Sequence, residues 1–321
     1  MKQPLIILTG PTAVGKTKLS ITLAKAVNGA VISADSMQIY KYMGIGSAKI
    51  MPQEMDGIPH YLIDELDPSE EFHVVRFQEM AKQALQEIYQ NGQIPILTGG
   101  TGFYIQALVK DIDFTEAEED REYRTYLEEQ VNKNGPVWLH DRLADCDPKA
   151  AKDIHANNVK RVIRALEYYH QTGEPISIHN EREKERISPY NYAYFVLNDE
   201  RSRLYERIEL RIDQMLKDGL LEEVLKLKEM GYTRDMVSMQ GLGYKEILDY
   251  YNKECTLDEA IYRLKRDTRH FAKRQITWFK RESDVIWLNK PDFSYDESRI
   301  LEEILSVCRR KGITGSDTLI P

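Results

Sequence analysis

Between a short apolar run, Leu5 to Thr9, and a helical pattern with Leu19, Leu23 and Val27 on successive turns stand eight residues: Gly10, Pro11, Thr12, Ala13, Val14, Gly15, Lys16 and Thr17. They satisfy GxxxxGK[ST] in full and in the strand-to-helix context that gives the pattern its meaning. The glycines let the chain wrap so that backbone N–H groups converge on a phosphate-sized anion, and the following helix turns its positive end toward the same point. Lys16 adds a mobile charge, and the Thr17 hydroxyl is the expected Mg²⁺ ligand. A diphosphate or triphosphate is the expected ligand, so nucleotide binding, ATP included, is a further expectation.

The rest of the chain follows from that start. Ala30 to Ala34 reads as a second strand ending at Asp35, His73 to Gln90 as an amphipathic helix, and Ile94 to Thr98 as a third strand ending in Gly99-Gly100. Strand alternating with helix predicts a parallel sheet wound by right-handed crossovers, an α/β fold of the P-loop NTPase type flanked by helices. After Phe114 the rhythm breaks. Tyr123 to Val131, Val137 to Leu143 and Val159 to Tyr169 carry helical spacing, and no strand is evident before Ala193 to Leu197; Val285 to Leu288 is a further strand. The expectation is a core of residues 1–114 and 191–321, with long helices Arg201 to Met230 and Leu257 to Lys280, interrupted by a helical insertion of residues 115–190. The tail from Gly312 is expected to be loose.

Composition excludes several classes. With 42% apolar and 30% charged residues among 321, the chain can build a core and is not a disordered polymer. No apolar run reaches the roughly 18 residues that span a bilayer, and the N-terminal apolar stretch is too short for a signal peptide. Cys146, Cys255 and Cys308 are isolated, so neither a disulfide framework nor a CxxC metal site is expected. A cytoplasmic monomer without a membrane partner is expected. The net charge of −8 argues against a protein that coats nucleic acid all over, yet Arg263 to Arg281 holds eight basic residues against the single acid Asp267. A localised polyanion site there competes with an ordinary solvated helix face.

The chemistry at the sheet edge is less determined than the anion site. The third strand ends without the carboxylate that a kinase uses for Mg²⁺, whereas the second ends in Asp35. In a parallel sheet the phosphate loop, Asp35-Ser36 and Gly99-Gly100-Thr101 all leave the carboxyl edge, where ligands of such folds bind. General base is the preferred role for Asp35; a turn cap and a kinase-type Mg²⁺ ligand are its alternatives.

GPTAVGKT, ISADSMQIYKYMGIGSAK, LTGGTGFY, KRVIRALE, RIELRIDQM, GLGYKE and RHFAKRQITWF occur in that order from Leu5 to about Leu288. Together the chain resembles the tRNA dimethylallyltransferases, bacterial type. The resemblance implies transfer of a dimethylallyl group from dimethylallyl diphosphate to N6 of the adenosine 3′-adjacent to the anticodon of a tRNA, with diphosphate released. It implies a catalytic Asp35 as base, Thr101 as a hydroxyl near the reacting amine and Arg211 beside the diphosphate. It also implies contacts to the anticodon stem-loop by Asp35, Ser36, Met37, Gln38 and Thr101, by Arg124, by Lys160, Arg161, Val162, Ile163 and Arg164, and by Gln240, Gly241, Leu242, Gly243, Tyr244 and Lys245. The basic helix would add sequence-independent attraction.

Three departures are visible. Val14 stands where the family often has Ser, Lys160 and Gln240 replace the family's frequent Gln and Arg, and no Cys/His zinc extension follows Leu288. Three rival readings remain: a prenyltransferase acting on free adenine nucleotides, a small-molecule kinase with Mg²⁺ on Asp35, and a nucleotide-dependent RNA-binding switch.

Overall fold

A computed structural model of the chain describes residues 2–114 and 120–315. Its centre is a six-stranded, wholly parallel sheet: β1 (Gln3–Thr9), β2 (Gly29–Ala34), β3 (His60–Tyr61), β4 (Ile94–Gly99), β5 (Tyr190–Asn198) and β6 (Val285–Asn289), in the order β3-β2-β4-β1-β5-β6. Every residue of β2, and β1 from Leu5 onward, is buried, as expected of strands covered on both faces. The crossovers are α1 (Lys16–Val27), α2 (Val74–Gln90) and α3 (Gly102–Lys110). α1 stops at Asn28, which takes the left-handed conformation at φ 49°, and α2 starts at His73, whose ring accepts from the Arg76 N–H.

Register places the site. Thr9 pairs with Gly99 on one side and Val196 on the other, and Ala34 also pairs with Gly99. The carboxyl ends of β1, β2 and β4 therefore lie level, so the segments that follow them start side by side. β1 lies where the strand order reverses, the point at which open α/β sheets bind ligands.

Helices α8 (Arg201–Lys217), α9 (Leu220–Glu229), α10 (Tyr244–Tyr251), α11 (Leu257–Phe279) and α12 (Glu297–Arg310) complete this unit; between α3 and α8 the chain forms α4 (Arg121–Cys146), α5 (Pro148–Asp153), α6 (Val159–Thr172) and α7 (Ile176–Glu185). The expected single helix from Arg201 to Met230 is corrected: it breaks at Gly219, whose φ of 103° is costly for any residue with a side chain. The two-residue β3 carried no readable signal.

The chain divides into a unit up to Leu108 and from Pro189, and a second of Val109–Ser188. Within the described part of the second, Leu127, Leu139, Leu143, Val162, Ile163 and Leu166 form a core of their own. Its α4 is kinked at Gly135 (φ 83°) before Pro136, which separates the two periodicities seen in the sequence. Residues 115–119 of the expected insertion, and 316–321 of the expected loose tail, lie outside the described residues. At the start of that tail Ile313 and Thr314 are buried, which corrects the expectation there. Among the described residues no helix is long and apolar enough to cross a membrane.

Candidate active site

The phosphate loop has the shape its sequence demands. Gly10 (φ 147°) and Gly15 (φ 105°) take conformations that glycine alone adopts cheaply, and a Cβ on Gly10 would stand 2.2 Å from the Leu197 carbonyl oxygen. Ala13 is also left-handed, at φ 64°, and its carbonyl accepts from Arg207 Nε at 2.8 Å. Val14 is fully buried, so the side chain at this departure from the family pattern packs inward. α1 starts at Gly15 without a side-chain cap and without an acid in its first turn, leaving its N-terminal N–H groups and positive end open to an anion.

Lys16 Nζ donates to the carbonyls of Gly10 and Pro11 at 2.8 and 2.9 Å. Its pKa is lowered to about 7, by burial first and by the Arg211 charge second, against an opposing pull from Asp35. Arg211, on α8, has its own pKa lowered by desolvation and then by Arg207.

These groups open into one cleft of about 610 Å³ in the larger unit, lined among others by Thr12, Lys16, Thr17, Asp35, Thr101 and Arg211. Asp35 is held by a turn: Oδ1 accepts from the N–H groups of Met37 at 2.8 Å and Gln38 at 3.4 Å, while Oδ2 has no hydrogen-bond partner among the described residues. The carboxylate thus acts as a turn cap with one oxygen and offers the other to the cleft. Burial raises its pKa, opposed by those two N–H groups and by Lys16. Thr101 follows β4, its N–H donates to the Ala34 carbonyl at 3.1 Å, and it precedes α3.

Across the cleft stand Ser36, Met37, Gln38, Gln240, Gly241, Leu242, Gly243 and Lys245. Gly241 lets the two segments meet, since a Cβ there would come within 2.5 Å of the Met37 methyl carbon. Tyr244 does not reach the cleft: it is fully buried, donates to Glu223 at 2.8 Å and accepts from the Ser47 N–H at 3.1 Å. That Glu223 carboxylate also accepts from the N–H groups of Gly44, Ile45 and Gly46 at 2.8–3.0 Å, fastening the loop after Gln38.

The second unit holds the other sequence-predicted residues. Val162 and Ile163 belong to its core, so their side chains have no surface to offer, and that expectation passes to the exposed Lys160 and Arg161. Arg124 and Arg164 both bind the fully buried Glu167, at 2.9 and 3.2 Å.

The sequence did not single out the apolar wall of the cleft, formed by Ile208, Ile212, Met215, Leu264 and Phe271, nor Gln275, nor the contact of Arg207 with the phosphate loop. The four-residue spacing of Arg203, Arg207 and Arg211 was the available signal for Arg207. Arg203 lies over the Tyr295 ring, 3.9 Å from its centroid, and not in the cleft. The basic run of α11 also divides: Arg263, Lys265, Arg266 and Arg269 pair with Glu259, Asp213, Asp267 and Glu209. Lys273, Arg274, Lys280 and Arg281 make no ion pair among the described residues, and three of them line a surface groove of about 490 Å³ with His270, Thr277 and Trp278.

An Mg²⁺ ion would suit this chemistry. The Thr17 hydroxyl is exposed on the cleft and unpaired among the described residues, and a diphosphate and water would complete the oxygen shell that such an ion requires. Among the described residues no group of three His, Cys, Asp or Glu side chains could hold a metal without such help.

Known proteins resemble this chain in sequence and fold. A family profile described as IPP transferase matches residues 38–282. A tRNA dimethylallyltransferase of Lachnoclostridium phytofermentans is 62% identical over 311 residues, covering 97% of this chain and 99% of that protein. The crystal structure of a full-length tRNA isopentenylpyrophosphate transferase from Bacillus halodurans is 46% identical with a TM-score of 0.73, covering 97% of this chain and 98% of that one. A eukaryotic dimethylallyltransferase acting on tRNA is 33% identical with a TM-score of 0.79, covering 91% and 75% respectively. On the match of profile, sequence and fold, the chain belongs to the IPP transferase family, the tRNA dimethylallyltransferases.

Proposed function

We infer that the protein transfers the dimethylallyl group of dimethylallyl diphosphate to N6 of the adenosine 3′-adjacent to the anticodon of a tRNA. The observation that carries this reading is the free Oδ2 of Asp35 in the same cleft as an open phosphate loop and an apolar wall. The diphosphate would lie on the loop amides, Lys16 and the N-terminus of α1, with Arg211 beside it, and the branched five-carbon chain along Ile208, Ile212, Met215 and Phe271. N6 of adenine is a weak nucleophile because its lone pair is delocalised into the ring. As the N6–carbon bond forms, the carbon–oxygen bond breaks, its electron pair leaves with the diphosphate, and the amine proton passes to Asp35. Such base assistance contributes a typical ~10²–10⁴-fold.

The loop amides and Lys16 stabilise the charge that grows on the leaving diphosphate. Mg²⁺ at Thr17 would supply further positive charge there. The target base must leave its stack to reach Asp35, which RNA loops permit at low cost. Segments 36–38 and 240–245 are then the base-side contacts, while Lys160, Arg161 and the unpaired end of α11 suit RNA phosphates.

The test is incubation with labelled dimethylallyl diphosphate and either unmodified tRNA or AMP. Label is expected in tRNA alone. Label in AMP alone would overturn the assignment, as would ATP turnover without any prenyl donor.

A further inference from the structure

Gln275 lies on α11, is 6% exposed, and uses both ends of its amide between loops far apart in sequence. Oε1 accepts from the Thr12 N–H at 2.8 Å, and Nε2 donates to the Gly100 carbonyl at 3.0 Å. The next residue, Thr101, donates its N–H to Ala34, which precedes Asp35. A continuous set of hydrogen bonds therefore runs from the phosphate loop, through Gln275, to the segments bearing Thr101 and Asp35.

We propose that Gln275 is a positioning residue that sets the distance between the departing diphosphate and the acceptor groups. The proposal rests on the roles given above to Asp35 and Thr101. The two partners demand opposite polarity, an acceptor for Thr12 and a donor for Gly100, and a primary amide presents both on one rigid plane. Gly100 is part of the device, because a Cβ there would stand 2.1 Å from Gln275 Nε2. The Thr12 N–H is spent on this bond and the Val14 N–H on the Pro11 carbonyl, so neither is left for a phosphate. Among the described residues the donor and acceptor sides are also joined by strand pairing and by the Thr9 and Thr98 hydroxyls, which donate to the Gly99 and Leu8 carbonyls below the site, and a reacting pair displaced by about 1 Å can lose ~10²-fold in rate.

Two substitutions test this. Gln275→Met keeps the volume and removes both hydrogen bonds; Gln275→Glu keeps the acceptor but sets a carboxylate against the Gly100 carbonyl. With donor and tRNA both saturating, Gln275→Met is expected to slow single-turnover transfer about 10–100-fold, while its Kd for dimethylallyl diphosphate stays within a few-fold of the parent. For Gln275→Glu, the deficit relative to the parent is expected to shrink as pH falls, because a protonated carboxyl can again donate to Gly100. A parental rate in Gln275→Met overturns the proposal, and so does a rate that falls in step with donor affinity. If Gln275→Met does not fold, a Gln275→Glu deficit that is the same at every pH overturns it. An active Asp35→Asn chain would instead remove the acceptor assignment, a separate result.

Discussion

The phosphate loop reaches its shape from eight consecutive residues and the ends of β1 and α1, whereas the opposite wall of the cleft is gathered from residues 35–38, Thr101, 240–243, Lys245 and α11. On the loop side the binding groups are mainly backbone N–H groups and one lysine. On the acceptor side they are mainly side chains: Asp35 is held by its own turn, whereas Met37 lies against Gly241 and the loop after Gln38 is fastened by Glu223, both from distant segments. A locally encoded anion site and an assembled acceptor site should fail differently. Damage to the first should weaken donor binding; damage to the second should slow transfer or weaken tRNA binding.

The largest expected effect breaks the comparison if it goes wrong. Asp35→Asn keeps the turn but loses the base, and turnover is expected to fall about 10²–10⁴-fold with donor affinity unchanged. Burial raises the Asp35 pKa, so parental activity should be lost as pH falls through that raised value, a limb absent from the residual rate of Asp35→Asn. Steady-state rates across pH, with donor binding measured in parallel, check both. A matched loss of donor binding would show that the two sides are not separable.

Lys16→Met comes next, on the loop side. Donor affinity is expected to drop about 10–100-fold, the range for losing a charged hydrogen bond of ~1.5–3 kcal/mol, with tRNA affinity retained. Burial and Arg211 lower the Lys16 pKa to about 7, and phosphate oxygens favour its charged form. Donor binding should therefore take up a proton above that pH and weaken as pH rises, by at most about tenfold per unit. Calorimetry in two buffers of different ionisation enthalpy measures the uptake, and Lys16→Met controls for protons taken up by the diphosphate itself.

The smallest effect sharpens the comparison within α11. Replacing Lys273 and Arg281 by Ala should reduce the salt dependence of tRNA binding by about 0.7–0.9 in slope for each RNA phosphate left without its cation. Replacing Arg263 and Lys265, which are paired with Glu259 and Asp213, should leave the slope nearly unchanged. Equal slopes for the two double variants would mean that pairing does not withdraw these charges from the RNA.

Much of the fold was legible because its signals are local. α1 begins at Lys16 and ends at Val27 as the spacing of Leu19, Leu23 and Val27 predicts, and α2 follows from His73 as cap and Phe77, Ala81, Leu85 and Ile88 as buried face. Five of the six strands were legible as apolar runs; β3, with two residues, owes its existence to pairing with Val31 and Ile32. The break at Gly219 was not legible because a lone glycine in a long helical pattern costs too little to end it by propensity alone. In the candidate site the loop and Asp35 were readable from motif and strand ends. The spacing of Arg203, Arg207 and Arg211 put Arg207 on one helix face with Arg211 but not on the loop; that contact, the apolar wall and Gln275 were not readable, since each acts through a partner distant in sequence.

By itself the sequence determined where the candidate anion site lies: glycine spacing, a lysine and a helix start lie within one short segment, so backbone geometry alone makes them converge. Tertiary structure decided what stands opposite that anion and which charges remain available. Asp35 faces the loop because β1, β2 and β4 end level, and half of the basic run of α11 is neutralised by Glu209, Asp213, Glu259 and Asp267. Register and ion pairing act over distance in space, which the order of residues along a chain does not record.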